Sequence, residues 1–385
     1  MEIQSDILWV GVNAHEIDLF EGQYPAPNGM AYNSYVLLDD KVAVFDTVDK
    51  EFGKEWLCKL EKTLENRAPD YLIVQHLEPD HAGSIAKVLE RYPEMQIVAS
   101  DKAVKMMPQF FYEVNFEGRI IGVKEGGTLS LGGRTLHFAM APMVHWPEVM
   151  VTYDSSEKVL FSADGFGKFG ALAHDEEWAC EARRYYFNIC GKYGAPVQAL
   201  LKKAAQLDIA IICPLHGPIL TENLGYYIGL YDTWSKYEPE DEGVFVAYAS
   251  IHGNTAEVAK KFADILRAKG AKKVVVSDLS RSDMAEVVED AFRYSRLVVA
   301  AASYDSDVFP PMHDFLHHLA IKNYSKRRIG IIENGSWAPS AGKAMRKIID
   351  TFKDVTVADT MVTIVSTLKP TDMPALERLA DEVLA

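Results

Sequence analysis

A chain of 385 residues exceeds one ordinary core, which stops growing near ~250–300 residues, so two domains are expected. Hydrophobic residues at 48% and charged ones at 25% are the proportions of folded globular protein, which excludes disorder, collagen-like repeats and coiled coil as the main content. A net charge of −15 argues against nucleic acid and anionic membranes as partners. Apolar runs such as 297–302 and 209–212 fall far short of the ~18–20 residues that cross a bilayer. The amino end shows no basic stretch followed by an apolar run, so a cytoplasmic address is expected. Cys58, Cys180, Cys190 and Cys213 form no C-x-x-C pair and are read as buried small hydrophobes.

Along the first part of the chain, strands are expected over 7–12, 34–38 and 42–45, a helix over 54–64 and a strand over 71–74. His76-Leu-Glu-Pro-Asp-His81 follows that last strand and packs four potential metal ligands into six positions. Imidazoles suit iron or zinc, and carboxylates add hard oxygen donors. In an extended loop His76, Glu78 and Asp80 project to one side, while His81 opens a helix over 81–91 and turns back toward them. A solvated acidic loop has the same composition, so the segment does not decide alone.

Further strands are expected over 96–99, 127–131, 136–139, 150–153 and 159–162. His145 follows the apolar Ala141-Pro-Met-Val144, Asp164 follows the strand ending at Ser162, and His216 follows the apolar run 209–215. One histidine after a strand is ordinarily structural. Together these positions supply four histidines and three carboxylates, enough for two metals sharing one carboxylate. Mixed strands and helices point to an α+β or αββα sandwich.

The charged stretch 236–243 contains Pro239 and Gly243, and the domain boundary is placed at its end, giving 1–243 and 244–385. Beyond it, strands over 244–249, 273–277, 297–302, 329–333 and 356–365 alternate with helices over 255–269, 283–292, 314–321, 341–352 and 373–384. Such alternation predicts a doubly wound, five-stranded parallel sheet. Three loops follow strands of this sheet. Ser250-Ile251-His252-Gly253-Asn254-Thr255 leads into a helix, where hydroxyls and backbone N–H groups can cradle a phosphate. Ser303-Tyr304-Asp305 and Asn334-Gly335-Ser336-Trp337-Ala338 follow the third and fourth strands, where flavodoxins hold FMN, with Tyr304 and Trp337 as aromatic candidates beside the flavin ring.

The order H-x-E-x-D-H, then His, Asp and His, resembles the metallo-β-lactamase fold, and Asp46 matches an aspartate that ends an early strand there. Zinc hydrolases of that fold usually carry His where this chain has Glu78, and a carboxylate shifts preference toward iron. Joined to a flavodoxin-like half, the pattern resembles a flavodiiron protein over essentially the whole chain, including Met143-Val-His-Trp-Pro147 and Gly335-Ser-Trp-Ala-Pro339. The resemblance implies one iron on His76, Glu78 and His145, a second on Asp80, His81 and His216, and Asp164 bridging them. It also implies FMN, reduction of O2 to water or NO to N2O, and a head-to-tail homodimer, either alone or as a dimer of dimers.

No fused rubredoxin motif is present, so a separate donor is expected, either rubredoxin or reduced F420. Two positions depart from relatives. Phe20-Glu21-Gly22 stands where some carry a His near the metals, and His252 stands where flavodoxins often have Ser or Thr. Competing readings are a zinc hydrolase with an appended flavodoxin domain and an electron-transfer flavoprotein with a non-catalytic metal site.

Overall fold

Two β-sheets lie face to face around one apolar layer in the first part of the molecule. The computed structural model describes residues 2–4, 6–172 and 177–385; Met1 and Ser5 of the amino end and residues 173–176 lie outside the described residues. The chain divides into two units, Met1–Tyr186 with Ala195–Asp232, and Phe187–Gly194 with Thr233–Ala385.

In the first unit a seven-stranded sheet runs in the order Glu2–Gln4, Ile7–Trp9, Tyr35–Leu38, Val42–Phe45, Tyr71–Val74, Gln96–Ser100, Ile120–Val123. Its last four strands are parallel. Val42–Phe45 and Tyr71–Val74 are buried at every position, as parallel strands covered on both faces require, which is why they read as continuous apolar runs without alternation. A five-stranded sheet, Thr128–Ser130, Thr135–Met140, Met150–Asp154, Val159–Phe161 and Ile211–Cys213, faces it. Tyr35, Phe45, Ile73 and Val98 from the first sheet meet Phe138, Met150, Phe161 and Ile211 from the second in one core. Phe45 stacks on Phe161 at 3.8 Å between centroids. On the outer face of the larger sheet, the helix Gly53–Leu64 buries Trp56, Leu60 and Leu64 at four-residue spacing. This is the expected αββα sandwich.

The second unit contains β1 (Asp241–Ala249), β2 (Val274–Asp278), β3 (Tyr294–Tyr304), β4 (Arg328–Asn334) and β5 (Thr356–Ile364), all parallel in the order 2-1-3-4-5. Val244, Val246 and Tyr248 of β1 face the helices Asn254–Ala268 and Met373–Leu384, while Phe245 meets Phe315 of the helix Pro310–Ile321 on the opposite face. The flavodoxin-like order puts the carboxyl ends of β1 and β3 side by side.

Several local expectations change. The strand expected over 7–12 is two short strands, Ile7–Trp9 and Val12–Ala14, in different sheets. The helix expected over 81–91 is two, Pro79–Ala82 and Ile85–Arg91. A Cβ at Gly83 would lie 2.5 Å from the Pro79 carbonyl oxygen, so the break packs too tightly for any side chain. The helices Asp101–Phe110, Trp178–Ile189, Gly194–Ala204 and Leu224–Ser235 were not foreseen. Leu224–Ser235 is apolar around most of its circumference and so lacks the stripe that marks a surface helix. Cys58 is exposed and Cys180 half-buried, because Cys58 falls on the solvent side of its helix; Cys190 and Cys213 are buried.

Phe161 lies against both Phe45 and Tyr35 across the two sheets. Phe161→Ala is therefore expected to cost about 3–5 kcal/mol, measured by denaturant unfolding; a loss under about 1 kcal/mol would show that the inter-sheet layer re-packs around the gap.

Candidate metal centre and cofactor pocket

The ligand-bearing segments of the first unit all leave the sheets at strand ends. His76 and Glu78 follow Tyr71–Val74, His145 follows Thr135–Met140, Asp164 follows Val159–Phe161, and His216 follows Ile211–Cys213. Pro79 starts a helix, so Asp80 and His81 ride on its first turn instead of continuing the extended loop. The expected one-sided projection of His76, Glu78 and Asp80 is therefore replaced by a split. His76, Glu78, His145 and Asp164 offer ligand atoms within 4.8 Å of one another, and Asp80, His81 and His216 form a second such group.

Asp164, a member of the first group, also turns an oxygen toward the second. Its Oδ2 lies 3.3 Å from His76 Nε2 and 3.4 Å from His145 Nε2, while its Oδ1 lies 3.2 Å from His81 Nε2 and 3.7 Å from His216 Nε2. Glu78 Oε2 sits 2.9 Å from His145 Nε2, and Asp80 Oδ2 sits 3.2 Å from His216 Nε2.

The groups are buried yet poorly paired. Both oxygens of Asp80 and Asp164, both ring nitrogens of His81 and Nε2 of His216 have no well-formed hydrogen bond. Buried polar atoms are normally satisfied, so a convergent set of orphans fits a bound ion. The electrostatics agree. Burial alone would raise Asp164, but His76, His145 and His81 hold its carboxyl well below the usual range. Burial alone would lower His145, but Asp164 and Glu78 raise it to about 9. The carboxylates thus create a field that favours cations.

Further residues hold the imidazoles and loops in place; sequence reasoning singles out Asp46 and the Phe20-Glu21 pair but not Glu148 or Asn33. Glu148, buried, places Oε1 2.8 Å from His76 Nδ1 and accepts the Leu77 N–H at 3.0 Å, which leaves His76 Nε2 facing the cluster. His216 Nδ1 lies 2.8 Å from the Ala31 carbonyl oxygen. Asn33 donates to the carbonyls of Pro214 and Gly217, both at 2.8 Å, and so fixes the backbone on either side of His216. Asp46 accepts from the backbone N–H groups of Gln75 and His76 at 2.8 and 3.3 Å, and burial pushes its carboxyl up to about 6. Glu148 lies two residues past Trp146, three past His145, a spacing no metal motif marks. Phe20 packs edge-on against His216 at 5.3 Å. Glu21, at the rim, comes within bonding reach of Glu78; desolvation, and after it the Glu78 charge, raise its carboxyl to about 8.

In the second unit a cavity of about 550 Å³ opens at the carboxyl ends of β1, β3 and β4. Ser250, Ile251, His252, Asn254, Thr255, Ser303, Tyr304, Asp305 and the whole run Asn334, Gly335, Ser336, Trp337, Ala338 line it. Gly253 does not; it caps the helix Asn254–Ala268 with φ of 93° and gives its N–H to Ser250 Oγ at 3.1 Å. Its role is the turn itself, since only glycine adopts that φ freely. Ser303 lines the cavity, but its hydroxyl also accepts from the N–H groups of Ser340 and Ala341, at the amino end of the helix Ala341–Ile349. Asp305 and Ser306 form a two-residue hairpin turn, both at positive φ, between β3 and Asp307–Val308. Ala302, Ser306, Ser340 and Ser366 also line the cavity and were not foreseen; small residues in turns carry little signal. Trp337 is 92% exposed.

Residues 30–217 match the family described as ODP family beta lactamase. The nitric oxide reductase of Moorella thermoacetica is 29% identical over 93% of this chain and 91% of its own length. The rubredoxin oxygen:oxidoreductase of Desulfovibrio gigas superposes with a TM-score of 0.93 at 25% identity, covering 100% of this chain and 97% of that one. The chain belongs to the flavodiiron proteins. The flavodiiron protein of Giardia intestinalis shares the fold, with a TM-score of 0.92 at 23% identity over 99% of this chain and 95% of that one.

In a metal site built on this cluster the orientation of His76 would bear directly on affinity, and Glu148 sets that orientation here. Removing such a partner typically costs 10–100-fold in affinity. Glu148→Ala is therefore expected to weaken ferrous binding by roughly 10–100-fold, measured by competition with a chelator; unchanged affinity would assign His76 orientation to something else.

Proposed function

We propose that the chain reduces O2 to water, NO to N2O, or both, at a non-haem diiron site, with electrons reaching that site through FMN from an external donor. The observation that carries this reading is the division of Asp164, one oxygen turned to each ligand group. His76, Glu78 and His145 would hold one iron, Asp80, His81 and His216 the other, with Asp164 shared. Three carboxylates beside four imidazoles suit ferrous or ferric ions better than zinc, which speaks against the hydrolase reading. FMN would lie in the cavity of the second unit, its phosphate at the amino end of the helix Asn254–Ala268 near Ser250 and Thr255, its ring near Tyr304 and Trp337.

Bound there, the irons supply the redox chemistry for gas reduction and FMN relays the electrons. The protein's part is positioning. Glu148 and the Ala31 carbonyl select the ring nitrogen that His76 and His216 turn inward. Asp46 and Asn33 hold the backbone on which those rings sit. We take 1–243 as the diiron domain and 244–385 as the FMN domain.

Because the ligand cluster and the flavin cavity belong to different units, we further propose a head-to-tail homodimer, alone or paired again, in which Trp337 faces the partner's metal site. Rubredoxin is the preferred donor, with reduced F420 as the second candidate. No helix among the described residues is long and apolar enough to cross a membrane, and a cytoplasmic setting suits both donors.

Two experiments test this reading. Asp164→Ala is expected to lower bound iron well below two per chain while FMN remains, since the cofactors use different units; full diiron occupancy would reject the shared carboxylate. Mixing a His216→Ala chain with a chain carrying both Ser250→Ala and Thr255→Ala is expected to restore part of the O2 or NO reductase rate. A mixed dimer keeps one intact flavin cavity opposite one intact metal site. No recovery despite proven subunit exchange would sink the head-to-tail arrangement.

A further inference from the structure

Behind the metal cluster, the first unit holds a second cavity that no ligand residue occupies. About 20 Å³ of it is open to a molecule the size of water, enough for one small guest. Its inner wall is formed by Val144, Gly165 and Phe166. Val144 directly precedes His145, and Gly165 directly follows Asp164. Its outer wall is one face of the helix Gly194–Ala204, where Val197, Leu200, Leu201 and Ala204 recur at helical spacing. Val144, Phe166 and Val197 are buried, whereas Leu200, Leu201 and Ala204 are half-buried. The space therefore runs from near the surface to the backbone of two ligand loops.

Its polar groups are already engaged. Ser162 Oγ donates to the Gly165 carbonyl at 2.7 Å, and Tyr231 Oη accepts the Phe166 N–H at 2.7 Å. A trapped water needs two to four polar partners, and the remaining lining is hydrocarbon, so water gains little here. The guest such a space accepts is small and apolar. The same two hydrogen bonds hold the turn bearing Asp164, so the gap sits in a braced wall; larger side chains at Val197 or Ala204 would fill it.

We propose that this cavity is a docking site for an apolar diatomic gas, O2 or NO, on its way to the face of the metal site bounded by His145 and Asp164. The assignment of the guest as substrate rests on the gas-reductase reading above; the cavity's affinity for an apolar guest does not.

Crystals of the iron- and FMN-loaded protein pressurised with xenon are expected to show one xenon atom between Leu160, Leu201 and Val144. Absence of xenon there overturns the proposal. Val197→Leu and, as the milder change, Ala204→Val are expected to abolish or weaken that xenon peak. They should raise the KM for the gas at least about threefold while kcat, iron and FMN per chain stay at parental values. Xenon bound in the parent with an unchanged KM in a variant that has lost it removes the cavity from the substrate's path and overturns the proposal. If the parent reduces neither gas, the gas-reductase reading fails, and with it the guest's role as substrate. Xenon would then still decide separately whether the site takes apolar guests.

Discussion

Everything in the first unit is arranged around one buried carboxylate. Asp164 has both oxygens within 3.7 Å of imidazoles from different parts of the chain, and it is 1% exposed. A charge that deep is tolerated only where opposite charge meets it from all sides. The four histidines come from segments that follow strands of both sheets, three on loops and His81 on a short helix, so the αββα sandwich must close before the carboxylate can be compensated. Folding and assembly of the site are in this sense one event.

The supporting residues follow from the same constraint. An imidazole that must present Nε2 to the centre needs a partner on Nδ1, and Glu148 and the Ala31 carbonyl provide two of them. Strand-end loops are irregular, and their backbone needs side-chain partners where no ladder continues. Asp46 and Asn33 supply those partners from neighbouring strand ends. The flavin cavity follows a different logic, in which small residues, a serine hydroxyl at a helix amino end and a left-handed Gly253 let backbone approach a ligand closely.

The parts of this molecule that were readable before its structure are those with a period or a dense cluster of chemistry. The alternation beyond residue 243 announced the doubly wound sheet because β1, β3 and β4 carry apolar runs and helices alternate with the strands, although β5 alternates exposed and buried positions. His76 to His81 stood out because four ligating side chains rarely crowd together by chance. Glu148 and Asn33 were invisible because a single Glu or Asn has no local signature, and their function comes from contacts 72 and 184 residues away in sequence. The helix Leu224–Ser235 escaped notice because apolarity on all sides erases the stripe. Asp305 and Ser306 hide a hairpin turn because they adopt positive φ without the glycine or asparagine that usually marks one.

The helix that begins at Pro79 makes the ligand motif sensitive to length in a way that substitutions do not reveal. His76 and Glu78 stand before the helix, whereas Asp80 and His81 stand on its first turn. Each residue advances the helix by roughly 100° and 1.5 Å. One residue inserted between Glu78 and Asp80 would swing both downstream ligands away from His216, while the two upstream ones stayed in place. Change of side chain at these positions alters one contact at a time. Change of spacing disassembles the pairing of the two groups at a stroke, which makes the distance between Glu78 and Asp80, as much as their identities, part of the site's chemistry.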